Sequence, residues 1–328
     1  MRPQSVLQLL QSVQEQTLYP DEILIIDGST NQETEHILTE NQFQHLHYFA
    51  VPHEHRGLTK QRNYGIERVG SSRDLTINEI EIVCFLDDDT VLEQNYFEEI
   101  IKTFEENSGI SGVGGVATNE NSWTLAEPNK KYDSRRYYQW EGFVYKEGQR
   151  NVVRNYLGLQ SNVEPGCMPD YSHGKTCGFP LNGKTYEVDL LIGMSFAFRR
   201  KVVDSIRFSP YFEGYGLYED ADFSLRALQF GTNVINTKAQ LSHYHHPSGR
   251  PNQYRYGKMV VRNGWYVWRV KNPKPTLNAK IKWHSITILL TLIRFTNTFT
   301  TNKKKEALTE ALGRTVGWWS LLWNKPKL

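Results

Sequence analysis

The sequence predicts an α/β fold: a mostly parallel sheet flanked by helices, followed by a helical, basic C-terminal extension. Three observations carry this. Over the first 117 residues, apolar runs of six to eight residues alternate with stretches of helical periodicity, the pattern of parallel strands joined by helices. Two of those runs end in carboxylates, Asp27 and Asp87-Asp88-Asp89, where open α/β sheets bind their ligands. The charge is also partitioned. The formal net charge is +2, yet residues 250–328 hold sixteen Lys/Arg against two Asp/Glu, leaving twenty-two basic and thirty-four acidic residues in 1–249. A basic segment of that kind calls for an anionic partner. At 328 residues, 39% of them hydrophobic, the chain is large enough for a substantial core and excludes a disordered class.

The elements follow in order. Residues 5–18 (SVLQLLQSVQEQTL) place apolar side chains near helical spacing, and Pro20-Asp21 breaks the run. EILIID (22–27) is a strand and Gly28-Ser29-Thr30 a turn, with Thr30 expected to cap the helix over 31–41. LHYFAVP (46–52) is a second strand. A helix over 57–69 is entered through Gly57. EIEIVCFL (79–86) is the third strand, 95–107 a helix stopped near Gly109, and SGVGGVA (111–117) a glycine-rich strand. Residues 120–185 are polar, aromatic and poorly periodic, which suits an acceptor-side insertion or lid. Regular structure resumes over 185–206. A helix over 221–231 ends at Gly231. The expected organisation is a domain over 1–257 and an extension over 258–328.

Three adjacent carboxylates repel one another, and a bound cation is expected to relieve that repulsion. In an extended segment Asp87 and Asp89 share a face and Asp88 takes the other. Hard oxygen ligands favour Mg²⁺ or Mn²⁺ over zinc. Arg62, on the helix before this strand, suits bidentate phosphate contact. Asp27 can accept from a base N–H or a ribose hydroxyl, or merely form the turn before Gly28. Glu219-Asp220 open a helix, where acidic groups are favoured in any case. SHYHHPSGR offers three histidines, one of which can complete a metal shell.

The ordered set of strand-Asp-Gly-Ser, GLTKQRNYGI, FLDDD, GMSFAFRR, EDADFSLR and HYHHPSGR resembles the family 2 glycosyltransferases of GT-A fold over about residues 1–265. The resemblance implies an inverting transferase that moves a sugar from a nucleotide-diphosphate sugar (UDP, GDP or dTDP) to a hydroxyl on a saccharide or lipid-linked acceptor, in cell-surface polysaccharide or lipid-linked glycan synthesis. It implies that Asp27 meets the base, Arg62 the nucleotide or its phosphates, and Asp87 the ribose, with Asp88 beside them in the donor site. Asp89 meets a Mg²⁺ or Mn²⁺ ion, with His243 as the metal-side histidine and His245 as the alternative. Asp220 matches the catalytic base, with Glu219 tuning it, and Gly193 and Met194 floor the donor-sugar and acceptor cleft. In that family a strand ending in Pro-Thr-Tyr-Asn or similar precedes the first helix. Here MRPQSVLQLL opens at that helix, and the first strand is expected to be absent. A nucleotidyltransferase shares the acidic pair and metal, and a non-catalytic nucleotide- or glycan-binding homologue is the third possibility.

The C-terminal extension alternates aromatic and basic residues. Its apolar run SITILLTLI (285–293) is shorter than the roughly 20 residues a bilayer span needs. With Trp283, Lys280, Lys282 and the later WWSLLW it reads as an interfacial segment, against the alternative of a helix packed on the sheet. The chain is expected to be cytoplasmic and peripheral on the inner face of the cell membrane, with no nucleic-acid partner. The three cysteines have no metal spacing. Cys84 reads as a small buried hydrophobe; Cys167 and Cys177 have the option of pairing, but a reducing compartment is expected.

Overall fold

The computed structural model describes residues 2–70, 80–175, 177–245 and 251–328. The chain forms two compact units: Met1–Asn121 with Leu181–Ser248, and Ser122–Pro180 with Gly249–Leu328. The insertion and the C-terminal extension, separate in sequence, therefore belong to one unit.

The first unit begins with α1 (Pro3–Gln14), β1 (Ile23–Asp27), α2 (Glu33–Glu40), β2 (Leu46–Ala50) and α3 (Leu58–Ile66). It continues through β3 (Ile82–Leu86), β4 (Thr90–Leu92), α4 (Tyr96–Glu106) and β5 (Ile110–Ala117). Pro at the first helical position starts α1, where its missing N–H costs nothing. Thr30 does not cap α2; the N-cap is Gln32 without a side-chain bond, because Ser29 and Asp27 are occupied with each other. Gly57 enters α3 at φ 117°, a conformation that favours glycine.

The sheet is mixed, which corrects the expectation of a mostly parallel one. β10 (Ser195–Arg199) runs antiparallel between β3 and β5. β11 (Thr232–His243) is parallel to β5, and it is antiparallel to β4 and to β9 (Thr185–Val188). The order is β3-β10-β5-β11-β4, with β9 on β11. The physical reason is the long excursion between β5 and β10: a strand returning after it is free to enter from either end, unlike one delivered by a short helical crossover. β1 and β2 form a separate parallel pair. No pairing joins β1 to β3 among the described residues, so each presents an unpaired edge.

One face of the large sheet buries Leu92, Tyr96, Ile100, Phe104, Val113, Met194 and Leu241 with Leu9 and Val13 of α1. The other carries stacked and edge-on rings of Phe85, Phe196, Phe198, Phe208 and Phe223. The glycines of β5 make room for neighbours. A Cβ on Gly112 would lie 2.6 Å from the Phe198 ring, and one on Gly115 2.6 Å from the Ala239 carbonyl. After β10 come α6 (Arg200–Ser205) and α7 (Glu219–Ala227).

The second unit holds β6 (Thr124–Leu125), β7 (Tyr137–Trp140) and β8 (Phe143–Lys146) as a small antiparallel sheet around Trp123, with α5 (Gln149–Tyr156) after it. Three helices complete it: α8 (Gln253–Lys271), α9 (Leu277–Thr300) and α10 (Lys304–Ser320). Trp268 stacks on Trp283 at 5.3 Å, and buried Glu310 forms ion pairs with Arg294 and Arg314, accepting a hydrogen bond from Arg314 Nε. Among the described residues no helix is long and apolar enough to cross a membrane. All three cysteines are free, so Cys167 and Cys177 do not pair.

Candidate active site

The site gathers at the carboxyl ends of β1 and β3 and the start of α7. Asp27 accepts from the Ser29 N–H (2.8 Å), the Ser29 hydroxyl (2.7 Å) and the Tyr48 hydroxyl (3.0 Å). Burial alone would raise its pKa, but these donors hold it below the ordinary value. It forms the Asx-turn expected of an Asp before Gly28 and is at the same time a fixed acceptor.

The tight turn between β3 and β4 shapes the aspartate trio. Asp87 donates its N–H to the Met194 carbonyl (2.9 Å), and its own carbonyl accepts from the Thr90 hydroxyl (2.8 Å). β4 then pairs with β11, setting Thr90 opposite His243, while the Tyr244 N–H reaches the Asp89 carbonyl at 3.0 Å. Ligand atoms of Asp87, Asp89 and His243 consequently lie within 4.8 Å of one another. The alternation of an extended chain separates the trio: Asp87 and Asp89 join His243, and Asp88 turns to Arg2.

The expected repulsion is not left for a divalent cation alone to relieve. Arg2 bridges Asp88 and Asp89, its Nη1 2.7 Å from Asp89 Oδ2. Arg62 Nη2 donates to Asp87 Oδ1 at 3.1 Å and to the Gly193 carbonyl at 2.9 Å, and Nη1 donates to Glu219 Oε1 at 2.5 Å. The Arg62 guanidinium also lies over the rings of Phe196 and Phe208, 4.9 and 5.2 Å from their centroids. Arg62 is a buried hub whose fork bonds two carboxylates and a carbonyl.

Glu219 and Asp220 start α7, whose N-cap, Tyr218, is left-handed (φ 71°). Asp220 Oδ2 accepts from the Gly193 N–H (3.0 Å) and Oδ1 from the Ala221 N–H (2.8 Å), which fixes the carboxylate plane. A Cβ on Gly193 would sit 3.1 Å from both Asp220 Cβ and Glu219 Oε1, so glycine is what lets this backbone approach the acids. The Met194 side chain packs in the core, and its carbonyl accepts from the Asp87 N–H at the edge of the site.

Burial drives the pKa shifts in the cluster. It pushes Glu219 up to about 8 against the pull of Arg62, and Asp88 up to about 6 against Arg2. Asp87 is raised for the same reason. Burial would lower His243, but Asp89, Glu120 and Asp87 raise it. His243 Nε2 lies 3.4 Å from Asp89 Oδ1, whereas His245 meets Glu120 (2.7 Å) on the outer side. His246 lies outside the described residues. Arg2 and Glu120 escaped the sequence reading. Arg2 carries no local signal, but Glu120 sits just past a strand's carboxyl end, the position that betrayed Asp27 and Asp87.

An α/β unit with mixed sheet, strand-end carboxylates and an acidic helix start defines a glycosyltransferase of GT-A type. Residues 1–163 match glycosyl transferase family 2, and the chain belongs to that family. Among solved structures it is similar to the mannosyltransferase PcManGT from Pyrobaculum calidifontis in complex with GDP-Man and Mn²⁺. That match has 12% identity and TM-score 0.51, covering 99% of this chain and 85% of that one, a likeness of fold. GalNAc-T7 with UDP, GalNAc and Mn²⁺ matches at 14% identity and TM-score 0.48, over 79% of this chain and 45% of that one. No curated protein sequence matches. Family membership sets aside the nucleotidyltransferase reading.

Proposed function

We propose that the chain transfers a sugar from a nucleotide-diphosphate sugar to an acceptor hydroxyl with inversion. The observation that supports this most is the pairing of two acidic groups of different character through one arginine. Arg62 links Asp87, beside Asp89 and His243, to Glu219, beside Asp220. Asp220, fixed by two backbone donors, takes the acceptor's proton as it attacks the anomeric carbon. The Gly193 and Ala221 N–H groups hold it in place, with Glu219 beside it. Asp27 receives the base, and Asp87 with Asp88 borders the ribose and diphosphate.

Asp89, Asp87 and His243 fit a Mg²⁺ or Mn²⁺ ion: the donors are two carboxylates and an imidazole, and Asp89 already attracts a cation in the form of Arg2. Such an ion supplies charge stabilisation for the departing diphosphate. The chain's own residues orient donor and acceptor and hold the proton at Asp220.

The test is donor turnover across UDP, GDP and dTDP sugars with Mn²⁺. Asp220→Asn should keep donor binding and lose transfer, while Asp89→Ala should lose metal-dependent donor binding. Full transfer by Asp220→Asn would remove the base, and a non-catalytic homologue would bind a donor without turning it over.

The anionic partner of the C-terminal helices is, on this reading, a bilayer surface, which puts the enzyme on the inner face of the cell membrane next to lipid-linked acceptors. Leu277, Ile281, Ile288, Leu292, Phe295 and Phe299 are all exposed along α9. Their spacing follows the helical repeat over about 33 Å, and Lys280, Lys282 and Lys303–Lys305 flank them. Co-sedimentation with phosphatidylglycerol vesicles but not phosphatidylcholine vesicles is expected. Leu292→Glu with Phe295→Glu should abolish it; equal binding of that variant would sink the assignment.

A further inference from the structure

We propose that Glu120 is a positioning residue for the metal-side histidine: its carboxylate accepts a hydrogen bond from the Nδ1–H of His243 and leaves the Nε2 lone pair on the side of Asp89. The inference rests on the metal reading of Asp89 and His243 above and adds to it a residue outside that set.

The loop after β5 sets Glu120 in place. The Thr118 N–H donates to the Leu241 carbonyl (2.8 Å), and Asn119 clasps the His243 backbone from both ends, Nδ2 to the carbonyl at 2.8 Å and Oδ1 from the N–H at 3.0 Å. Glu120 follows directly, and its Oε1 reaches 3.0 Å from His243 Nδ1. On the far side of the same ring, Nε2 lies 3.4 Å from Asp89 Oδ1. The imidazole, 11% exposed, is thus held between two carboxylates, one on each nitrogen. His245 approaches the same Glu120 oxygen at 2.7 Å, its ring 4.1 Å from that of His243, and steadies a carboxylate that is itself 40% exposed.

Neutral imidazole has one N–H and one lone pair, and the partner of one nitrogen decides the state of the other. Without Glu120, the proton is free to settle on Nε2, where it would bond Asp89 and compete with a cation for both ligands. With Glu120 as acceptor, Nδ1 keeps the proton and Nε2 is available. Nδ1 is buried and makes no well-directed hydrogen bond, although Glu120 stands within reach. A small rotation of the carboxylate completes the contact. Outer partners of this kind are worth about 10–100-fold in metal affinity.

The test uses the full chain with Mn²⁺ alone and Mn²⁺ with UDP or GDP, free Mn²⁺ being read by electron paramagnetic resonance. ¹⁵N-histidine NMR of the metal-free protein, titrated to the pH at which the ring is neutral, reports the His243 tautomer. Glu120→Ala is expected to weaken Mn²⁺ binding about 10–100-fold and to shift His243 away from the Nδ1–H tautomer. Glu120→Gln, whose amide oxygen still accepts, should recover most of both. Wild-type Mn²⁺ affinity and tautomer in Glu120→Ala would overturn the proposal. So would a Glu120→Gln variant as weak as Glu120→Ala, since that marks direct ligation. Asp89→Asn separates the layers: if neither it nor wild type binds Mn²⁺ in any arm, the metal reading falls, and the tautomer still decides the part played by Glu120.

Discussion

Replacing Arg62 by methionine tests the hub most directly. Methionine keeps the length and apolar contact of the side chain against Phe196 and Phe208 but removes every donor. Three acceptors lose their partner: Glu219 Oε1, Asp87 Oδ1 and the Gly193 carbonyl. Glu219 is 5% exposed and Arg62 9%, so water cannot replace the guanidinium at that carboxylate. Breaking a buried ion pair by removing one member costs about 3–5 kcal/mol. For a unit of this size each kcal/mol moves the midpoint by roughly 2–4 °C, so about 4 kcal/mol predicts a fall of about 8–16 °C. Thermal unfolding followed by circular dichroism measures it. The loss should be smallest at pH 4, where the carboxylates hold protons, and largest at about pH 9, above the Glu219 pKa of about 8, where that buried group would otherwise ionise against Arg62. Arg62→Lys should fall between, since one ammonium cannot span three acceptors in two directions. A drop of less than about 2 °C, or one that is the same at both pH values, would refute the reasoning.

Three further outcomes follow from the same geometry. Gly193→Ala forces Asp220 and Glu219 to give a few tenths of an ångström; kcat should fall about 10-fold with donor Kd unchanged, and an unaltered kcat would show the approach to be incidental. Glu219 has its folded-state pKa raised from 4.5 to about 8. The folded state therefore keeps a proton that the unfolded state loses, and stability declines as pH rises through that window; Glu219→Gln should flatten this slope in urea titrations, and an unchanged slope would discount it. Burial pushes the Cys84 thiol up to about 12, so in the native protein at pH 8 iodoacetamide should label it about 100-fold more slowly than a free thiol, as read by mass spectrometry; rapid native labelling would contradict the burial.

Legibility followed the distance over which each feature is decided. The strands ending at Asp27 and Leu86, the helix through Arg62 and the glycine-rich strand were all readable, because period and turn chemistry are local. The direction of Ser195–Arg199 was not: an apolar run of five residues looks alike whichever way it enters a sheet. Residues 120–185 looked irregular because their strands are two to four residues long and hold together by ring contacts around Trp123. In the site, residue types were legible and partners were not. Arg62 was visible as a cation near acids, but its neighbours Glu219 and Gly193 lie 157 and 131 residues away.

The charges of the cluster explain why an acidic knot this dense persists. Asp87, Asp88, Asp89, Glu219 and Asp220 are five carboxylates, and Arg2 and Arg62 are the two guanidinium groups bound among them. Fully ionised, the set carries a formal −3. Burial raises Glu219 to about 8 and Asp88 to about 6, so part of that charge does not form at neutral pH. A divalent cation at Asp89 offsets more of what remains than a monovalent one. Arg2 already takes one oxygen of Asp89, so a metal entering there must share or displace that contact. Arg2→Ala should therefore raise apparent Mn²⁺ affinity, while Arg62→Met strips the donors from the buried acceptors and mainly costs stability. The two arginines balance the same acids, but one sits where a cation is to arrive and the other where none is wanted. If Arg2→Ala weakened Mn²⁺ binding instead, Arg2 would belong to the support of the aspartates, and the competition argued here would be wrong.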